Sequence, residues 1–133
     1  MPDLVRDIRL LKQARLEQKT EKKLEQARKW AVLCYEIDGR DRYRCRACGC
    51  KVMRTLAAVP NRLERHHVIP ISLGGENTAE NVVSLCLECH FARHVMRTLL
   101  LDGNANKSLT CTRLNREGDV LRVWKSQPPG AQP

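Results

Sequence analysis

Glu64-Arg-His66-His67-Val-Ile-Pro70 and Glu80-Asn81-Val-Val-Ser-Leu-Cys86-Leu-Glu-Cys89-His90-Phe-Ala-Arg-His94 contain all four histidines of the chain and one of its two Cys-x-x-Cys pairs. The other pair, Cys45-x-x-Cys48, lies upstream, with residues 49–85 between the two. A Cys-x-x-Cys turn lets two thiolates grip one ion from a single knuckle, and two knuckles complete the tetrahedral shell that Zn²⁺ prefers. The long separation is tolerable because loop closure costs only logarithmically with length. Cys45, Cys48, Cys86 and Cys89 are therefore read as a structural zinc site. Cys50 is too close to Cys48 for a knuckle. Cys34 and Cys111 read as packed thiols.

The histidines form a second set. His90 and His94 are four apart on an expected helix, so they share one face a turn apart, the spacing of a two-ligand metal clip. His66 and His67 are adjacent on an extended segment, where successive side chains point to opposite faces. A regular strand would not aim both at one ion, whereas a local bend would let one ligate and the other reach a water. Single histidines on helices are mostly surface or packing residues. Four converging around a Cys-x-x-Cys pair read better as a metal site with a base.

Working outward, residues 1–23 are charge-rich and free of glycine, with Leu4, Ile8 and Leu11 as a short apolar stripe. They read as a solvated helix or frayed arm; a further reading makes residues 1–37 a helical docking arm for a protein partner. Leu24, Ala27, Ala31, Cys34 and Ile37 follow helical periodicity, which predicts a core-packed helix stopping at Asp38-Gly39. Short extended pieces are expected near Tyr43–Cys45, Lys51–Met53 and Leu63–Val68. A helix is expected from about Leu87 to Leu101. Thr110–Leu114 and Val120–Trp124 around Asn115–Gly118 predict a β-hairpin. The tail Gln127–Pro133, rich in Pro and Gly, is expected to be disordered. The divisions are then 1–40 for the helical arm and packing helix, 41–103 for the chemical core, 104–126 for the hairpin and 127–133 for the tail.

The 133 residues carry 24 Lys+Arg against 15 Asp+Glu, a net charge of +9, which points to a polyanionic partner, nucleic acid before membrane. Two Trp, two Tyr and one Phe are too few for a single-strand binder built on stacking platforms. They also imply a thin core that metal would have to staple. No apolar run approaches the roughly 20 residues that span a bilayer. The start has no apolar signal-peptide core. A cytoplasmic location is expected, where seven cysteines are better metal ligands or free thiols than disulfides.

Tyr43-Arg-Cys-Arg-Ala-Cys48-Gly, Glu64-Arg-His66-His67-Val-Ile-Pro70, Gly74-Gly75, Glu80-Asn81-Val-Val and Cys86-Leu-Glu-Cys89-His90 together resemble the HNH endonuclease family, in order and spacing, over about residues 41–95. The resemblance implies an α+β fold, a ββα-metal core stapled by the four-cysteine zinc, with the N-terminal helical extension and C-terminal hairpin attached. It implies a phage or bacterial enzyme that hydrolyses DNA phosphodiester bonds, on duplex DNA. His66 becomes a metal ligand and His67 the general base. Asn81 pins the loop and orients the base, or ligates the metal. His90 and His94 become further ligands of the catalytic ion, as in the colicin-type nucleases, and Glu64 falls where that branch has an acidic residue near the site. Many members have Asp where this chain has His66. Three imidazoles suit Zn²⁺, Mn²⁺, Ni²⁺ or Co²⁺ better than Mg²⁺, so the working divalent metal stays open. Arg62, Arg65, Arg93 and Arg97 are the candidate phosphate contacts, which position a nuclease without reading sequence. The competing expectation is a non-catalytic zinc-ribbon DNA-binding module, which explains the cysteines and the charge but leaves the histidines idle.

Overall fold

A computed structural model describes residues 3–51 and 63–130. By internal contacts the chain divides into residues 1–32 and 33–133. The first unit is helix from Leu4 onward. It belongs to α1, Leu4–Asp41, 38 residues long. Only Leu33, Ile37 and Asp41 of α1 are buried, all in the second unit. The expected packing stripe is thus corrected at its start: Leu24, Ala27 and Ala31 are exposed and Cys34 half-buried. Leu4, Ile8 and Leu11 are exposed as well. Helix here rests on good helix formers and solvated pairs such as Lys29–Glu25, 3.3 Å apart.

The expected stop at Asp38-Gly39 is also corrected. Gly39 continues the helix and the chain leaves it only after Asp41, where Arg42 (φ 50°) and Tyr43 (φ 54°) take left-handed backbone. Polar anchoring accounts for the extra turn. The fully buried Asp41 carboxylate accepts from Arg40 Nε (2.7 Å), Arg46 Nη1 (3.0 Å) and the Ser84 amide (3.1 Å). Arg40 Nη2 also reaches the Val82 carbonyl at 2.7 Å, and Arg46 Nη1 the Ala105 carbonyl at 2.7 Å. Burial lowers the Arg46 pKa and the adjacent Asp41 charge opposes that. This network ties the helix end to Arg46, to Val82 and Ser84, and to the Ala105 carbonyl.

Strand β1, Glu64–His67, pairs antiparallel with β2, Val82–Leu85, so that His66 faces Val83 and His67 faces Val82. Helix α2, Leu87–His94, follows at once. A second sheet holds β3 (Leu99–Asn104), β4 (Ser108–Leu114) and β5 (Val120–Ser126), antiparallel in the order β3-β4-β5. The β4–β5 hairpin is as expected. The expected helix to Leu101 is not found: α2 ends at His94 and Leu99–Leu101 are strand. Leu99 and Leu101 are buried in alternation with exposed Leu100, and all three pair with β4. Near Tyr43–Cys45 there is one bridge, Arg44 to Lys51, rather than a strand pair; the rest of the expected piece, Val52–Met53, lies outside the described residues. Of the tail, Gln127–Gly130 is described, and Pro128 is buried against the fold rather than free.

The core is small: Val68, Val83, Leu85, Ala92, Leu99, Leu101, Leu109 and Cys111 pack around Cys45, Cys86 and Cys89. Cys111 is fully buried, and burial pushes its thiol up to about 11. It is the inert packed thiol that the sequence indicates.

Candidate active site

Four sulfurs meet at the edge of the core, with Cys48 exposed. Cys45, Cys48, Cys86 and Cys89 place their Sγ atoms within 4.8 Å of one another. Cys48 Sγ and Cys86 Sγ are 3.7 Å apart. Zn–S bonds of about 2.3 Å in a tetrahedron set S···S edges at about 3.8 Å, so the spacing suits the ion. Each knuckle also offers a backbone donor to its first sulfur. The Cys48 amide lies 3.5 Å from Cys45 Sγ, and the Cys89 amide 3.4 Å from Cys86 Sγ, which caps α2. The Cys45 thiol is lowered to about 4, chiefly by the hydrogen bond from Cys89, and the Cys89 thiol is raised by the same contact. The Arg46 amide donates to the Ser84 carbonyl at 2.9 Å, joining the first knuckle to β2. Cys50 is exposed and stands outside the four-sulfur group.

Beside this cluster stands a triangle of imidazoles. His66 on β1 and His90 and His94 on α2 bring ring nitrogens within 4.8 Å of one another. His66 Nδ1 and His94 Nε2 are 2.8 Å apart, and the His90 and His94 rings are 4.5 Å centroid to centroid. A tetrahedral ion with bonds of about 2.0–2.1 Å spaces its nitrogens at about 3.4 Å, close to this triangle. His66 is buried, its Nδ1 faces His94, and its Nε2 has no hydrogen-bond partner among the described residues. A buried ring nitrogen left this way is costly unless something else engages it. Burial lowers the His66 pKa to about 3, with His94, Arg93, His90 and His67 adding to the effect. Burial lowers His94 as well. Neutral imidazole is the ligand form. The donor set therefore fits a divalent transition ion.

His67 is outside the triangle. Regular strand geometry decides this: His66 points inward, and its neighbour is half-buried on the other side. His67 Nε2 lies 2.6 Å from Asn77 Oδ1. An amide oxygen only accepts, so Nε2 carries the proton and Nδ1 is the basic nitrogen. The sequence reading missed Asn77. Its signal was an Asn just after Gly74-Gly75 in the same turn.

Asn81 clamps the loop after β1. Its Oδ1 accepts from the Ile69 amide (2.8 Å), and its Nδ2 donates to the Ile69 (2.9 Å) and Glu76 (3.0 Å) carbonyls. Of the two roles the resemblance allows, these bonds match the pinning one. Gly75 is required here, since a Cβ would sit 1.7 Å from the Ile69 oxygen, and Gly74 turns the chain at φ 92°.

The arginines separate. Arg65 is ion-paired with Asp38 and reaches Ser84 Oγ at 3.4 Å, so its guanidinium is held inward. Arg93 is half-buried near the histidines, and Arg97 is exposed. Arg62 lies outside the described residues. Glu64 is half-buried on β1 opposite Leu85.

A hairpin and a helix that bring three imidazoles together, with a fourth beside them, make the comparison with known proteins pointed. Residues 45–95 match the HNH endonuclease family. The HNH segment takes in both cysteine knuckles and all four histidines. The chain also resembles the Type IV methyl-directed restriction enzyme EcoKMcrA of Escherichia coli (strain K12), 44% identical over 50 residues. That stretch is 38% of this chain and 18% of the relative, so the chain spans less than a fifth of the enzyme it matches. No solved structure matches. No described helix is long and apolar enough to cross a membrane.

Proposed function

We propose that the chain is a metal-dependent endonuclease that hydrolyses phosphodiester bonds of duplex DNA, with a ββα-metal core. The observation that carries this reading is the division of labour among the histidines. Three imidazoles converge within 4.8 Å, and the fourth, His67, stands apart with its proton-bearing nitrogen engaged by Asn77. A DNA-binding zinc module has no use for that division.

His66, His90 and His94 would hold a divalent ion, and Cys45, Cys48, Cys86 and Cys89 a structural zinc. The bound divalent ion supplies Lewis-acid neutralisation of charge on the phosphate and the leaving oxygen. His67 takes a proton from a water through its basic nitrogen. The water oxygen forms the new bond to phosphorus, and the bond to the 3′ oxygen breaks. The leaving oxygen collects a proton from solvent, giving 5′-phosphate and 3′-hydroxyl ends. Asn77 keeps the His67 ring in one tautomer and orientation. Asn81 and Gly75 fix the loop that carries Asn77 away from β1 and back. Arg93 and Arg97 lie on and just after α2, where the substrate backbone would pass.

The test is nicking of supercoiled plasmid. His67→Ala should lower the rate by about 10²–10⁴ while leaving zinc content and DNA binding intact. His90→Ala should also abolish cleavage, but with weakened binding of the second metal. Wild-type protein inert with Mn²⁺, Ni²⁺, Co²⁺, Zn²⁺ and Mg²⁺ would replace the nuclease by the zinc-ribbon binding module. An active His67→Ala protein would remove this residue as the base.

A further inference from the structure

Between the first cysteine knuckle and the C-terminal hairpin lies an open cavity of about 570 Å³. Its wall includes Arg44, Arg113, Arg122, Trp124 and Lys125, and no carboxylate among the described residues lines it. Arg46 also reaches it, but that charge is already matched by buried Asp41. Among the described residues, none of the other four cations is ion-paired. The cavity includes none of the four histidines.

Two features set this patch apart from a solvated basic surface. The first is Arg113 directly opposite Arg122 on neighbouring strands β4 and β5. Residues of β4 and β5 alternate between the two faces of the sheet, and buried Cys111 pairs with Trp124 on the face to which this arginine pair belongs. Like charges directly opposite in an antiparallel pair are destabilising. A fold that keeps them gains nothing from the pair itself; an anion between them reverses the sign. The second feature is rigidity. Arg122 lies over the Trp124 ring, 5.0 Å from its centroid. Trp124 in turn donates Nε1–H to the Ala47 carbonyl at 2.9 Å, which ties it to the zinc knuckle. A guanidinium stacked on an anchored indole loses little freedom when it binds. Because Arg122 covers the ring, the indole is not a stacking platform for a base, so the chemistry favoured is phosphate.

We propose that this cavity is a second DNA-backbone site, in which Arg113 and Arg122, flanked by Arg44 and Lys125, grip phosphates of a duplex held at the histidine centre. The inference rests on the nuclease reading for what the DNA is doing there, but its own content is binding. The anchoring of Trp124 on Ala47 makes the zinc knuckle part of the grip, so hairpin and active site would hold one duplex in fixed register.

The experiment measures binding of a mixed-sequence duplex of a few turns at rising salt, in the His67→Ala background so that the DNA stays whole. Each phosphate contact contributes about 0.9 to the slope of log K against log salt. R113Q/R122Q should therefore reduce the slope by about 1.8 and weaken binding several-fold at moderate salt. The free double variant should melt at or above the parent temperature, because a like-charge pair has been removed. Arg122 is exposed, so R122Q alone, with a slope change of about 0.9, decides the matter if the double variant misfolds. An unchanged slope in a folded variant overturns the proposal. So does inorganic phosphate that protects the chain from thermal unfolding through these arginines while duplex binding ignores them, which would mark a small-anion site. Both results stand whether or not the wild-type chain cuts plasmid, so failure of this site and failure of the nuclease reading are separable.

Discussion

Replacing Asn77 by Ala isolates what the His67 partner contributes. The contact is 2.6 Å long, joins residues ten apart and is open to solvent. An exposed hydrogen bond of this sort is worth about 0.5–1.5 kcal/mol net. If all of that serves to hold the His67 ring ready, the rate should fall by a factor of about 2–13, since about 1.36 kcal/mol is tenfold. Loss of the base itself is larger, about 10²–10⁴. The expected order is therefore wild type, then Asn77→Ala within roughly one decade, then His67→Ala one to three decades lower. Single-turnover nicking at saturating metal and DNA reads the ratio without product release. Metal content should not move and the melting temperature should fall by only a few degrees, because the side chain is exposed and belongs to neither cluster. The double variant should be no slower than His67→Ala alone, because Asn77 acts only through that ring. Additive losses would show Asn77 touching substrate directly, and a wild-type rate in Asn77→Ala would show that nothing depends on the bond.

Two further expectations follow from the packing. Cys86→Ser removes one sulfur of the four while its hydroxyl can still cap α2, and structural zinc contributes on the order of 10 kcal/mol to small domains; the variant should lose zinc by metal analysis and unfold by circular dichroism, and a folded, zinc-loaded Cys86→Ser protein would refute the proposed ligand set. Asp41→Ala strands the buried Arg46 guanidinium, whose side chain is 1% exposed, and breaking such a pair from one side costs about 3–5 kcal/mol; urea melts should show that loss and should show much of it recovered in Asp41→Leu/Arg46→Met, whereas a loss below about 1 kcal/mol would mean that solvent reaches the site.

The two groups of candidate ligands were legible because metal chemistry constrains spacing locally. Two Cys-x-x-Cys turns and an i, i+4 histidine pair state their geometry within a few residues. Strand alternation likewise separates His66 from His67, although the sequence alone left a bend open. What was not legible depends on partners far along the chain. Val82–Leu85 is buried at all four positions, so it has no alternation to announce a strand. Leu99-Leu100-Leu101 suits a helix as well as a strand, and the deciding partner is β4. Asp41 and Arg46 look like surface charges until the helix end, the knuckle and β2 are brought together. The helix passed the Asp38-Gly39 signal because those same tertiary bonds outweigh a local propensity of about 1 kcal/mol.

The two metal sets are joined by one short element. Helix α2 has only eight residues, too few to be stable alone, since isolated helices are marginal below about 12–15 residues. Its first turn carries Cys86 as cap and Cys89 as sulfur ligand; its later part carries His90 and His94. Cys89 and His90 are adjacent, so an ion held by the sulfurs fixes the azimuth of the helix and with it the direction of both imidazoles. His66 reaches the same point from β1, whose pairing with β2 runs straight into Cys86. On this reasoning an ion at the cysteine knuckles would do more than stabilise a thin core: it would set the angle between strand and helix on which the imidazole triangle depends. Weakening the sulfur site without unfolding the chain should then loosen the second metal before it affects DNA affinity, because His90 and His94 share α2 with Cys89, whereas Arg113, Arg122 and Lys125 of the basic cavity stand on β4 and β5.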